Sequence, residues 1–139
     1  MANAGYSGTP LLKKLGLQDT HRVWVINEPG DYFRWLEKDI SSQRCPAGGI
    51  PDWVHLFARS RKEFQAGMQQ LKKVYEKNSA LIIWVSWYKK SSGLSTDLTE
   101  DVIREYALAN GLVDIKVCAV SGQWSGLKLV VPVSKRRNP

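Results

Sequence analysis

This 139-residue chain lacks a glycine-rich phosphate loop, a metal-ligand cluster and any long apolar run. Its two cysteines, Cys45 and Cys118, are too few and too far apart for a disulfide framework or a thiolate metal centre. No surrounding pattern makes either histidine, His21 or His55, a triad member or a metal ligand. The longest unbroken apolar run, residues 80–85, falls far short of the roughly 20 residues a membrane-crossing helix needs. No basic-then-apolar leader opens the sequence. The expectations from these absences are no metal, no cofactor, no membrane association and a cytoplasmic location.

Acidic residues are in the minority. Thirteen Asp and Glu face 20 Lys and Arg, a formal net charge of +7. Such an excess favours anionic partners and says nothing about fold. The basic residues fall in scattered pairs at 13–14, 61–62, 72–73 and 89–90, with a tail at 135–137. A nucleic-acid face requires those pairs to converge. The favoured partner is an anionic small molecule or a protein, with nucleic acid as the lesser expectation.

What is present suits a folded domain. The apolar fraction of 43% and the charged fraction of 24% are ordinary for a globular protein. The length fits one domain over residues 1–139, with 1–8 and 134–139 loosely ordered. Residues 79–87 (SALIIWVSW) organise the rest. The run has no helical period and is rich in β-formers, which predicts a strand covered on both faces by helices. Six tryptophans are many for this length. Trp84 and Trp24 read as core, and Trp35, Trp53, Trp87 and Trp124 as element edges. Cys118 reads as a buried small hydrophobe and Cys45, before Pro46, as exposed.

In chain order, Thr9 is the candidate cap of a short helix that Pro10 opens and Gly16 stops. Residues 22–27 read as the first strand, ended by Glu28, Pro29 and Gly30. Residues 31–38 read as a helix, residues 41–51 as a loop with room for a short edge element, and residues 52–58 as the second strand. His55 lies in that strand and reads as structural. Ser60 and Glu63 match a capping box. Phe64, Met68, Leu71, Val74 and Tyr75 then recur at helical spacing. The central strand leads into a polar loop, residues 89–96. Asp97 and Glu100 match a second capping box, followed by a stripe of Leu98, Val102, Tyr106 and Ala109, with Ile103 beside it, that Asn110 and Gly111 end. Residues 112–120 and 124–133 read as two strands joined by a tight turn, hence antiparallel. Alternation puts Ser125, Leu127, Leu129 and Val131 on one face, and Trp124 and Lys128 on the other.

Three stretches carry a resemblance: GYSGTPLLKKLG (5–16), KKSSGLSTDLTED (89–101), and GLVDIKVCAV (111–120) with WSGLK (124–128). Together they resemble the DUF3052 family of small uncharacterised bacterial proteins. The resemblance implies a single bacterial cytoplasmic domain and supplies no catalytic residue. The element order is also similar to the C-terminal half of class I methyltransferases, which ends in a helix and an antiparallel hairpin. That topology implies the strand order first, second, third, fifth, fourth. Methyltransferases carry a glycine-rich loop after their first strand, where this chain has NEPGD (27–31). Topology alone does not set function.

The expected architecture is α/β: a three-layer Rossmann-like sandwich around a mostly parallel five-stranded sheet ending in an antiparallel hairpin. Ligands of open α/β sheets bind at the carboxyl ends of the strands. The central strand ends there in Lys89, Lys90, Ser91 and Ser92, with Thr96 just before the helix start. Two ammonium groups, several hydroxyls and a helix start suit an anion. Asn27 and Arg59 end the two neighbouring strands and complete the candidate anion site. No catalytic residue is assigned. A non-enzymatic binding domain is the leading expectation; the alternatives are a reduced methyltransferase-like enzyme and a nucleic-acid binder with a basic face.

Overall fold

The computed structural model describes residues 9–136. Five strands form one sheet in the order β1-β2-β3-β5-β4. They are β1 (Val23–Ile26), β2 (Trp53–Phe57), β3 (Ile82–Tyr88), β4 (Val113–Ala119) and β5 (Trp124–Val130). β1, β2 and β3 run parallel, and β5 is antiparallel to both β3 and β4. The expected α/β sandwich and strand order both hold. β3 lies in the interior of the sheet, and residues 83–87 are buried.

Alternation along the strands sorts the core into two layers. On one face Val54, Leu56, Ile83, Val85, Leu127 and Leu129 meet α3 (Arg61–Lys77) and α4 (Glu100–Ala109). On the other face Trp53, Phe57, Trp84 and Trp124 meet α1 (Leu11–Lys14) and α2 (Tyr32–Leu36). α1 is too short to stand alone. It is held by Leu11 and Leu15, and by two indoles: Trp53 Nε1 and Trp84 Nε1 both donate to the Leu15 carbonyl, at 3.2 and 2.9 Å. That carbonyl is one that a helix end leaves without an intrahelical partner.

α3 follows its sequence stripe. Phe64, Met68, Leu71, Val74 and Tyr75 are all buried. Ser60 caps it through the Glu63 N–H at 3.1 Å, while Glu63 reaches back to the N–H of Arg59 at 2.7 Å. The α4 stripe is rotated from the expected one. Ile103 and Ala107 are the buried helical positions, Val102 and Tyr106 are half-buried, and Ala109 is exposed. Gly111, at φ +82°, supplies the left-handed turn after the helix.

Several expectations are corrected. Pro10, not Thr9, occupies the cap position of α1. Thr99 caps α4, accepting from the Val102 N–H at 3.3 Å, so Asp97 and Glu100 do not form its capping box. Cys45 is buried and Cys118 only partly so. The Cys45 N–H is tied to the Val23 carbonyl at 2.9 Å, whereas Cys118 sits on the edge strand β4. Trp53, Trp87 and Trp124 are core residues at 0, 8 and 6% exposure, and Trp24 is only half-buried. These indoles pack among helix side chains in the two core layers. Residues 1–8 and 137–139 lie outside the described residues. In the tail expected to be loose, Val133–Lys135 form a 3-10 turn and Arg136 Nε donates to the Val131 carbonyl at 3.0 Å.

Candidate functional site

β3 emerges from the sheet into a groove of about 1060 Å³. Trp87, Tyr88 and Leu98 contribute apolar surface, Lys89, Lys90, Ser91 and Ser95 form the polar rim, and Ser125 of β5 adds a hydroxyl. Thr99, Glu100 and Asp101, at the start of α4, close the opposite side. The groove therefore has a basic lip and an acidic lip over an apolar floor.

The loop between β3 and α4 is tied down at several points. The Lys89 N–H donates to the Gln123 carbonyl at 2.9 Å, fixing the loop's start to the β4–β5 turn. Ser92 Oγ donates to the Lys89 carbonyl at 2.6 Å and accepts from the Leu94 N–H at 3.1 Å. Gly93, at φ +75°, makes the turn between them. Thr96 Oγ1 donates to the Arg59 carbonyl at 2.8 Å and accepts from the Leu98 N–H at 3.1 Å. Asp97 accepts from the Arg61 N–H at 2.8 Å and so serves the start of α3.

These bonds divide the candidate residues. Lys89, Lys90, Ser91 and Thr96 line the groove. Ser92 and Thr96 use their hydroxyls to shape the loop. Arg59 meets the loop through its carbonyl, while its guanidinium lies 3.5 Å from Glu63. Asn27 belongs elsewhere. It adopts φ +59° and donates from Nδ2 to the Phe57 carbonyl at 3.0 Å, tying the ends of β1 and β2 together. Asparagine tolerates that left-handed conformation better than most residues. The turn that would carry glycines in a dinucleotide fold is thus a side-chain clasp here.

The acidic lip is already engaged. Arg104 pairs with Glu100, with Asp101 at 3.1 Å and with Asp114 at 3.0 Å. The Glu100 and Asp114 carboxylates hold the guanidinium's pKa above its ordinary range. No lysine of the groove takes part in an ion pair among the described residues. The positive charge at Lys89 and Lys90 is therefore available to a ligand.

The sequence places Trp87 at an element edge and Tyr88 at the strand end that opens the candidate loop, but sequence reasoning missed Leu98, Thr99 and Ser125 as groove residues. The alternation that sends Ser125 to the face of Leu127 and Leu129 was the available signal for that residue. Also missed was a polar chain inside the sheet. Tyr32 Oη and His55 Nδ1 are 2.8 Å apart, and His55 Nε2 and Ser86 Oγ are 2.7 Å apart, all fully buried. Phe57 stacks on the imidazole at a centroid distance of 4.1 Å. Burial drives the His55 pKa down to about 3, so the ring is neutral and bonds once as donor and once as acceptor. Burial also holds the Tyr32 phenol well above its ordinary range. Outside the groove, and enclosed by aromatic rings, the trio is a structural part of the core.

No protein-family profile and no curated protein matches the chain. A crystal structure of a protein in the NADB-Rossmann superfamily from Streptococcus agalactiae aligns with 99% of this chain and 62% of its own, at 13% identity and a TM-score of 0.47. The chain thus spans less than two thirds of that protein's length. The Rossmann-like description rests on the strand order and directions given above. No group of three or more His, Cys, Asp and Glu among the described residues is placed to hold a metal. No helix among them is long and apolar enough to cross a membrane.

Proposed function

We propose that this chain is a binding domain that holds an anionic small molecule in the groove at the carboxyl end of β3, without a reaction of its own. One observation carries the reading: Lys89 and Lys90, in no ion pair among the described residues, line a groove with Trp87 and Leu98 that is roomy enough for a small ligand. The groove is open and its lining mixes charged and hydroxyl side chains with apolar ones, which suits a polar, charged ligand. The lysines supply charge attraction, Ser91 and Ser125 supply hydroxyls, and the indole and leucine supply apolar contact.

The DUF3052 resemblance belongs with this proposal. Two of its stretches, residues 89–101 and 124–128, border the groove. A reduced methyltransferase-like enzyme receives no comparable support, because Asn27 clasps β2 where a cofactor loop would open.

The test is a titration of the isotope-labelled protein with adenosine monophosphate, citrate and inorganic phosphate, read from backbone amide shifts. Saturable shifts confined to residues 87–101 and 125, reduced in the Lys89→Ala/Lys90→Ala variant, are expected. Absence of saturable shifts with all three probes, or shifts centred elsewhere, would overturn the reading.

A further inference from the structure

A second set of positive charges gathers on the opposite face of the sheet, away from α3 and α4. Lys116 of β4 stands directly across from Lys128 of β5. Strand alternation aims both away from Leu127 and Leu129, toward the side of α1. Lys116 Nζ donates to the Lys14 carbonyl at 3.2 Å, which brings the end of α1 beside the pair. Cys118 lies two residues beyond Lys116 on the same face; burial pushes its thiol up, and the positive charges of Lys14, Lys116 and Lys89 oppose that shift. Four segments distant in sequence thus converge on one patch: Lys14, Lys116, Lys128 and, at its border, Lys89.

This convergence is unfavourable unless something offsets it. Like charges directly opposite on neighbouring strands destabilise a sheet. The Lys128 ammonium is pushed down, first by partial burial and then by Lys116. None of the four lysines is in an ion pair among the described residues. The one carboxylate of β4, Asp114, stands across from Leu129 on the other face and is held by Arg104. An ammonium has three donors, so Lys116 keeps two after its bond to the Lys14 carbonyl.

We propose that this lysine patch is a docking surface for the phosphodiester backbone of a nucleic acid. Its charges come from α1, β4, β5 and the end of β3, and so are spread across a face. That spread suits a row of phosphates better than one phosphate group, which needs its donors focused on a point. A membrane surface fits less well: of the two exposed aliphatics of β4, Val117 stands across from Leu127 and so faces the other side, and Ile115, at the register shift beside Lys116, is too little apolar surface to insert alone. The patch meets the small-molecule groove at Lys89, but Lys116 and Lys128 do not line the groove, so either reading can fail alone.

The experiment is fluorescence anisotropy of a short fluorescein-labelled oligonucleotide, single-stranded and as a duplex, titrated with the full chain at several salt concentrations. The variants are Lys116→Gln/Lys128→Gln, its charge-keeping counterpart Lys116→Arg/Lys128→Arg, and Lys72→Gln/Lys73→Gln on exposed positions of α3. Binding by the unaltered protein should weaken as salt rises, with a log–log slope of about 0.7–0.9 per phosphate contact. The glutamine pair should lose roughly tenfold in affinity and flatten that slope by one to two contacts. The arginine pair and the α3 pair should bind as the unaltered chain does. Thermal unfolding of each variant separates loss of fold from loss of binding. Three outcomes overturn the proposal: no binding at low salt, equal loss in the α3 pair, or binding of anionic phospholipid vesicles or inorganic phosphate but not the oligonucleotide.

Discussion

Asp97 accepts a 2.8 Å hydrogen bond from the backbone N–H of Arg61, a residue 36 positions earlier in the chain. The carboxylate belongs by sequence to the approach of α4, yet it serves the first residue of α3. Together with the Thr96 bond to the Arg59 carbonyl, it clamps the β3–α4 loop onto the end of β2. The wall of the groove is therefore built by long-range capping.

Replacing Asp97 with alanine should lower stability by about 1 kcal/mol, the usual cost of losing such a cap. Hydrogen exchange locates the loss. In Asp97→Ala the Arg61 amide should exchange faster while the Val102 amide is unchanged. Thr99→Ala should do the reverse, since Thr99 caps Val102. Faster exchange at Val102 in the Asp97 variant would show that the carboxylate serves α4 instead.

Replacing Lys89 and Lys90 with alanine should change stability by no more than about 0.5 kcal/mol, as substitutions away from packed features do. Neither ammonium is in an ion pair among the described residues, and the loop is held by the Lys89 carbonyl and N–H, which alanine keeps. Unfolding midpoints beside the ligand titration check this. A large loss of stability with unchanged binding would make the pair structural and remove the charged lip from the site.

The sheet was legible because two simple signals agreed. A doubly covered apolar run at 80–85 placed β3 in the interior, and the short turn at 121–123 forced β4 and β5 antiparallel. The carboxyl end of β3 then followed as the place to look. The caps of α4 were not legible, since Thr96, Asp97 and Thr99 are all capping types within four positions and only tertiary reach decides among them. Cys118 is less buried than expected because β4 is an edge strand, which leaves its side chains partly in water, and Cys45 is more buried than expected because its N–H pairs with the Val23 carbonyl and draws its loop onto β1. The partners of His55 lie 23 and 31 positions away, with no periodic pattern to announce them.

Gly67 supplies a packing test. A Cβ added there would lie 2.5 Å from Cδ1 and 3.2 Å from Cγ of Leu56, a fully buried side chain. Alanine gains about 1 kcal/mol over glycine in helix propensity, but overpacking costs typically 1–3 kcal/mol. Gly67→Ala should therefore be destabilising by about 1 kcal/mol in urea unfolding. Adding Leu56→Val should recover part of the loss, a non-additive coupling expected of residues in contact. Stabilisation by Gly67→Ala alone would show that α3 can lift off β2 at little cost.

His55 governs the acid side of the stability profile. Its ring is neutral in the folded protein, with the pKa down at about 3 against 6.5 as the ordinary value. An unfolded chain therefore binds a proton at His55 between those values while the folded protein does not. By linkage, stability is fully present above about pH 6.5 and falls with each unit of acidification toward pH 3, by roughly 1.4 kcal/mol per unit for one proton. Tyr32 and Ser86 keep the neutral ring satisfied, so the loss comes from protonating the unfolded state and not from an unmet hydrogen bond. His55→Gln should be less stable at neutral pH, because a flexible amide replaces the stacked, twice-bonded ring, yet it should lack this one-proton slope. Urea unfolding from pH 7.5 to 4.5 gives the comparison. Equal slopes for the two proteins would mean that His55 takes up its proton in the folded state, and that the Tyr32–His55–Ser86 chain opens to water in mild acid.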